Sequence, residues 1–162
     1  MANVDFEGKA FYAKVFERNR DTGENLQDGQ LKDKITLEQG HYSMNVEVSP
    51  ETRDLMIAQG VPTKGLIGQL WREGEDGTIV YKCKRPHFNP RINKGEGMLM
   101  GPPVVFDGKE GENKWDDSVD IGNGSTVKVR INVWDGKIVT LEGVRVIDHV
   151  EFVSDNDPMS GF

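Results

Sequence analysis

The sequence predicts a mainly β fold: one small barrel, closed or partly closed, with one short helix at about residues 50–59 and long connecting loops. Several stretches alternate apolar and polar side chains, which is typical of half-buried strands. The 19 glycines and seven prolines among 162 residues supply frequent turn signals between these stretches. Only the segment after Ser49-Pro50, up to Gly60, carries the start and stop signals of a helix.

The first alternation runs over residues 9–18, after residues 1–8, which lack periodicity and are expected to form a loose arm. An extended chain here would turn one set of side chains to the core: Phe11, Ala13 and Val15. It would turn an aromatic and basic set outward: Tyr12, Lys14, Phe16 and Arg18. Residues 19–30 are polar and turn-forming, and are expected to connect strands.

The middle of the chain predicts two further strands. Residues 41–48 alternate with an outer face that is not basic, whereas residues 78–88 would point Lys82 and Lys84 outward. Residues 89–102 read as a loop that contributes Arg91 and Lys94, and residues 103–107 as a short apolar strand. Residues 108–120 are too polar for core, so Trp115 is either a lid packed on the barrel or exposed.

The C-terminal third predicts a long hairpin. Residues 124–134 place four aliphatic side chains on one face and Lys128, Arg130 and Trp134 on the other. A tight Asp-Gly turn leads into a long last strand, in which Glu142-Gly143 indicates a bulge. We expect residues 1–153 to form the barrel domain and residues 154–162 a flexible acidic tail.

Composition argues against several functional classes. The single cysteine excludes an internal disulfide, and the scattered histidines resemble no metal site. There is no phosphate-binding loop, nucleophile elbow or paired carboxylate, so we expect no enzyme activity and no cofactor. No apolar run is long enough to span a bilayer, which predicts no membrane association and a cytoplasmic location, in the host cell if the protein is phage-encoded.

The formal net charge of −7 at first argues against a nucleic-acid partner. The acid is concentrated, however, because residues 105–123 and 148–162 together hold ten of the 27 acidic side chains. A nearly neutral body with basic strands remains compatible with phosphate binding.

Cations interleaved with aromatic rings on three strands favour nucleic acid, because cations meet phosphates and rings stack on bases. An oligonucleotide-binding (OB) barrel fits this pattern best, since its ligand lies on a strand face with flanking loops. For a single strand alone, ordinary solvated edge residues would explain the pattern better than a binding site. The predicted DNA-binding residues are Tyr12, Lys14, Phe16, Arg18, Lys82, Lys84, Arg91, Lys94, Lys128, Arg130 and Trp134.

The order of segments also resembles the single-stranded DNA-binding proteins of tailed bacteriophages. The resemblance lies in residues 42–48 with the following helix, 78–84, 104–108, 121–130 and the strand up to Phe152, and in the terminal Phe162. It implies an OB barrel that coats single strands without sequence preference during phage DNA replication and recombination. It also implies a tail, with Asp155, Asp157 and Phe162, that recruits replication partners such as a polymerase or a helicase/primase and competes with DNA.

Three alternatives stay open. A virion structural or assembly protein would carry the basic strands as exposed edges, and the same barrel would serve a binder of duplex DNA or RNA. A nuclease would use Asp116, Asp117 and Asp120 with a divalent ion. Exposed strand edges also permit a homodimer.

Overall fold

The computed structural model describes residues 2–16, 41–63, 71–73, 77–89, 98–134 and 138–151. Within these ranges one helix follows the second of nine strands. The helix is α1 (Pro50–Ala58), and the strands are β1 (Ala2–Lys14), β2 (His41–Val48), β3 (Trp71–Glu73), β4 (Ile79–Pro86), β5 (Phe88–Asn89), β6 (Met98–Leu99), β7 (Val104–Asp107), β8 (Ser125–Trp134) and β9 (Ile138–Asp148). Seven strands form one sheet in the order β3-β4-β2-β1-β8-β9-β7, and β5 pairs with β6.

Strand β1 belongs to both halves of this sheet. Its residues 2–10 pair antiparallel with β8, and residues from Lys9 onward pair with β2. Gly8 lies just before this change, where a Cβ would collide with the Glu47 carbonyl oxygen and lie 2.6 Å from Val46 Cγ1. The missing side chain therefore lets β1 pass close to β2 as it moves from one partner to the other.

The expectation of a loose arm at residues 1–8 is wrong for residues 2–8. Val4 and Phe6 are buried in the core while Asp5 and Glu7 alternate with them on the outside. Pairing with β8 supplies the backbone partners that make this segment a strand.

The sheet curls into a partly closed barrel at the seam between β4 and β9. No strand ladder joins these two strands among the described residues, but Arg85 bridges them. Its guanidinium donates to the Leu141 carbonyl at 3.2 Å and pairs with Glu142 at 3.4 Å. It also donates to the carbonyls of Met100 and Gly101, both at 2.9 Å. The predicted mainly β, OB-like barrel with one short helix is confirmed.

The inward side chains of the strands form one continuous apolar core. It draws on β1, β2, β4, β7, β8 and β9, and the half-buried Trp115 packs against it as the lid interpretation requires. The bulge predicted at Glu142-Gly143 is present: Arg130 pairs with Gly143 and Ile131 with Leu141, so Glu142 is the extra residue. In α1, Ser49 caps the N-terminus by accepting from the Thr52 amide at 3.1 Å, and Met56 is buried.

No helix in the described part of the chain has the length and apolar character needed to cross a membrane.

Two buried tyrosines differ in whether their hydroxyl groups form hydrogen bonds. The Tyr42 hydroxyl lies 2.7 Å from His87 Nδ1 in a buried hydrogen bond. The Tyr81 hydroxyl is buried without a hydrogen-bond partner in the described structure. Burial raises the pKa of Tyr81 far above its ordinary value, so this hydroxyl stays protonated.

We expect Gly8→Ala to destabilise the barrel by about 2 kcal/mol, because the added methyl would overlap a backbone carbonyl that cannot move without breaking the β1–β2 ladder. Gly143→Ala is the matched control, since its Cβ would find only the Val104 carbonyl oxygen, at 3.5 Å. Urea denaturation of both variants measures the difference. Equal stability of the two would contradict the close approach at Gly8.

Tyr81→Phe should leave the free energy of unfolding unchanged or raise it by about 1 kcal/mol, because it removes a buried hydroxyl that has no partner in the described structure. Tyr42→Phe breaks the bond to His87 and should cost about 1 to 3 kcal/mol. Thermal denaturation of the two variants side by side tests this. A larger loss for Tyr81→Phe would show that its hydroxyl is bonded.

Candidate nucleic-acid interface

Two of the predicted cations meet on the outside of the β1–β2–β4 sheet. Lys14 pairs with Ser43, and Ser43 pairs with Lys84, so the three side chains form one row across three strands. With about 4.8 Å between neighbouring strands, the Lys14 and Lys84 backbones lie about 10 Å apart. Both lysines are exposed. We call this surface, the outer side of β1 from Lys9 onward together with β2 and β4, the β1–β2–β4 face.

A second row on this face joins Phe11, Asn45 and Lys82. It shows that Phe11, predicted to face the core, points outward instead. Phe11 pairs with Asn45, which alternates with the buried Met44 and Val46 and therefore points outward. Phe11 thus lies on the outer face and not in the core, half-buried beside the polar strand β2. The expected position of Lys82 on the outer side of β4 is correct.

Tyr12 is the most exposed aromatic side chain for which the structure gives a value, at 70 %. It sits in an irregularity of the β1–β2 pairing between Phe11 and Lys14, and its φ of 52° lies in the left-handed region. Holding a tyrosine there costs about 1 to 2 kcal/mol. Asn123 offsets part of this cost because its Oδ1 accepts the Tyr12 amide at 2.8 Å.

The turn that holds Tyr12 is itself fixed to the chain just after β9. A Cβ on Gly122 would collide with the Val150 carbonyl oxygen, so the two backbones are in close contact. The Ser125 hydroxyl donates to the Gly122 carbonyl at 2.7 Å and accepts from the Val150 amide at 2.8 Å. The Gly124 amide in turn donates to the Ala10 carbonyl at 2.8 Å. Asn123 therefore acts from a rigid turn.

Trp134 is 55 % exposed at the last position of β8, where it pairs with Ile138. Ile138 is four residues before Glu142, the partner of Arg85 at the seam, or about 13 Å along an extended strand. Arg85 directly follows Lys84 on β4. Trp134 and Ile138 therefore lie about 13 Å of strand from the contact that joins β9 to the end of β4 carrying Lys84.

Phe16 was predicted to stack on a base from the outer face, and this prediction is wrong. The ring is 5 % exposed and belongs to the hydrophobic core. The error arises because β1 ends at Lys14, so Phe16 lies beyond the pleated strand on which the prediction depended. Val15, the preceding residue, is also buried, so strict alternation no longer holds beyond the end of β1.

Lys128 and Arg130 lie on the outer side of β8 but away from the Lys14 row. Lys128 pairs with Glu7 on β1, which is seven residues, or about 23 Å of extended strand, from Lys14. Arg130 pairs with Asp5 and donates to both of its carboxylate oxygens, at 2.8 and 2.9 Å. These bonds lower the pKa of Asp5, so the pair is ionised at neutral pH. The predicted single cluster is therefore two clusters.

Six predicted site residues fall outside the described ranges: Arg18, Arg91, Lys94, Asp155, Asp157 and Phe162. Sequence reasoning also missed Phe11 and Asn123. Val4, Phe6 and Ala10 are all buried, and continuing this alternation would have predicted that Phe11 points outward. Nothing local in the sequence marks Asn123, because its partner lies 111 residues away.

The nuclease alternative would use Asp116, Asp117 and Asp120, and the first of these has a structural role. Asp116 Oδ1 accepts from the amide and the hydroxyl of Ser118, at 3.0 and 2.7 Å, and so closes its own turn. In the part of the chain that the structure describes, no three His, Cys, Asp or Glu side chains gather as a metal site would require.

Two solved structures with the same fold come from bacteriophages. The chain is similar to gp2.5, a single-stranded DNA-binding protein encoded by bacteriophage T7, with a TM-score of 0.63 and 17 % identity over 96 % of this chain and 97 % of that one. It is also similar to the single-stranded DNA-binding protein from bacteriophage Enc34, with a TM-score of 0.55 and 12 % identity over 96 % and 86 % of the two chains. At these identities the likeness establishes the fold.

No family model matches the sequence, and no curated protein matches it by sequence.

We expect Asn123→Ala to lower the free energy of unfolding by about 1 kcal/mol, since it leaves the Tyr12 amide without its acceptor. Tyr12→Gly should instead leave stability unchanged or raise it by up to about 1 kcal/mol, because glycine tolerates the positive φ. Chemical denaturation of the two variants tests the claim. A clear loss of stability in Tyr12→Gly would mean that the tyrosine ring supports the fold.

Proposed function

We propose that this protein binds single-stranded DNA without sequence preference, on the β1–β2–β4 face. The observation that carries the proposal is Tyr12, an aromatic side chain 70 % exposed and held in a costly backbone conformation beside Lys14. Strain of this kind persists where the surrounding structure enforces it, and it concentrates at ligand-binding sites. An exposed ring next to a cation is the combination that single-strand binders use.

The physical roles divide between rings and cations. Tyr12 and Trp134, both exposed, offer faces on which bases stack, at about 1 to 3 kcal/mol per base. Lys14, Lys82 and Lys84 are exposed on neighbouring strands and meet phosphates. Stacking accepts every base, and a lysine contact to phosphate carries no sequence information, so the face binds without sequence preference.

Single strands suit this face better than a duplex. Rings stack only on bases whose faces are accessible, which a single strand provides and a paired duplex does not. The similarity in fold to two phage single-stranded DNA-binding proteins supports the same choice. The protein then binds its ligand without chemical change to it and coats single strands during phage replication or recombination, in the host cytoplasm.

The remaining assignments rest on the sequence. We place Arg18, Arg91 and Lys94 in loops near the bound strand, and residues 154–162, with Asp155, Asp157 and Phe162, as a tail that recruits replication proteins. The acidic tail would compete with DNA for basic surfaces, because both present negative charge to them. We also infer that the chain pairs with a second copy through the edge of β3, the last strand on its side of the described sheet.

We expect Tyr12→Gly and Trp134→Ala each to weaken binding to labelled oligo-dT by about 5- to 100-fold, equivalent to about 1 to 3 kcal/mol for a lost stack. Lys14→Ala with Lys84→Ala should weaken binding and reduce the salt dependence by about 1.4 in the slope of log K against log salt. Fluorescence anisotropy at several salt concentrations measures both effects.

Arg53→Ala is the matched control, because Arg53 lies on α1, apart from the sheet strands that form this face, and pairs there with Asp54 at 3.6 Å. It should bind as the unaltered protein does. Competition with unlabelled single-stranded DNA, duplex and RNA of equal length identifies the preferred ligand. Preference for duplex or RNA would replace the proposed ligand, and absence of binding to any of the three would favour a virion structural role.

A further inference from the structure

A groove of about 350 Å³ lies on the other half of the barrel, between the outer sides of β8, β9 and β7. Its floor opens at Gly143, where the absence of a side chain leaves space beside Arg130 and Val104, its partners on β8 and β7. Only the Val104 carbonyl, at 3.5 Å, would meet a Cβ at Gly143. We call this the β8–β9 groove.

Four cationic side chains line the groove: Lys109, Lys128, Arg130 and Arg145. Its two acidic side chains, Asp5 and Glu142, each have an arginine partner, Arg130 and Arg85 respectively. Within the described structure Lys109 and Lys128 form no ion pair of their own. Both ammonium groups can therefore meet an incoming anion, although Lys128 is also close enough to Asp5 to help lower the pKa of that carboxyl.

Arg145 and Phe106 form the wall of the groove that is fixed in position. The Arg145 guanidinium lies over the Phe106 ring, 5.0 Å from its centroid, and donates to the carbonyls of Gly108 and Gly111 at 3.2 and 2.9 Å. These contacts hold the guanidinium in place before any ligand arrives. The exposed Val104 beside it adds an apolar surface.

The groove begins where the β1–β2–β4 face ends. Glu142 lines the groove and contacts Arg85, and Arg85 directly follows Lys84 at the end of β4. A strand that leaves Lys84 across the seam therefore reaches the groove without crossing Glu7 on the outer side of β1. Cations beside a ring and an apolar patch suit a nucleotide better than an acidic peptide, which would use the cations alone.

We propose that the β8–β9 groove is a second binding site for phosphates of the same single strand, engaged only by DNA long enough to cross the seam. This rests on the proposed function, since the first contact is made on the β1–β2–β4 face. On this route Lys128 lies about 10 Å of strand beyond Glu142, because it pairs with Arg145. Lys14 lies about 10 Å on the other side of Lys84. A strand that contacts both lysine pairs therefore spans more than about 20 Å, which is about six stacked nucleotides at about 3.4 Å each. Oligonucleotides of about five nucleotides should therefore occupy the face and leave the groove empty.

The test compares two double variants. The groove variant carries Lys109→Ala and Lys128→Ala, and the face variant carries Lys14→Ala and Lys84→Ala. Each variant removes two positive charges from its site. Anisotropy is measured with oligo-dT of about five and about twenty nucleotides at several salt concentrations. We expect the groove variant to bind the short oligonucleotide as the unaltered protein does and the long one about 5- to 20-fold more weakly, with a salt slope reduced by about 1.4. The face variant should lose affinity for both lengths.

Gly143→Val is a second groove variant, which leaves the charge of the groove unchanged. The valine side chain fills the floor of the groove, and its Cβ clashes with no neighbouring atom. It should reproduce the selective loss of affinity for long oligonucleotides.

Equal loss of affinity for both lengths, or no loss for either, in the groove variants would overturn the second site while leaving the proposed function intact. Binding of a labelled poly-glutamate peptide that is lost in the groove variant, while that variant binds long oligo-dT as the unaltered protein does, would assign the groove to an acidic peptide and overturn its assignment to DNA. Failure of the unaltered protein to bind either length would instead remove the proposed function.

Discussion

The close approach of β1 to β2 at Gly8 is the constraint on which the rest of the molecule depends. One strand can serve both halves of the barrel only if its backbone passes close to β2 while it is still paired with β8. That path buries Val4 and Phe6 before the change of partner and leads the chain toward the irregularity at Tyr12 after it. The core, the outer rows and the exposed ring all follow from this one path.

Tyr12 shows how local strain and long-range contact combine at the face. The bulge turns the tyrosine out of the alternation, and Asn123, on a turn fastened to Val150 through Ser125, holds its amide. The aromatic ring thus occupies its position without packing into the core. Glycine would adopt the backbone conformation at this position with less strain than tyrosine. The presence of an exposed tyrosine ring there despite its cost in stability indicates that the ring contacts a ligand.

The sequence predicts much of this fold because most strands are regular. Alternation located β2, β4 and β8 with their core-facing sides, and the apolar stretch that begins at Ile138 located β9. Ser49-Pro50 located the start of α1, and Glu142-Gly143 located the bulge. Alternation failed at Phe11, because the bulge at Tyr12 shifts the phase of β1 and no residue type predicts the bulge. It failed at Phe16, because β1 ends at Lys14. It also treated Lys128 and Arg130 as neighbours of Lys14, because alternation gives the side of a strand and not the position around a curved sheet.

The central claim is that single-stranded DNA lies on the β1–β2–β4 face, and the most direct measurement is a map of amide chemical shifts by nuclear magnetic resonance during titration with a short oligo-dT. The proposed binding predicts that the largest changes fall in residues 9–14, 41–47 and 80–84, with α1 unchanged. Changes confined to α1, or a spectrum unaffected by saturating oligonucleotide, would contradict it.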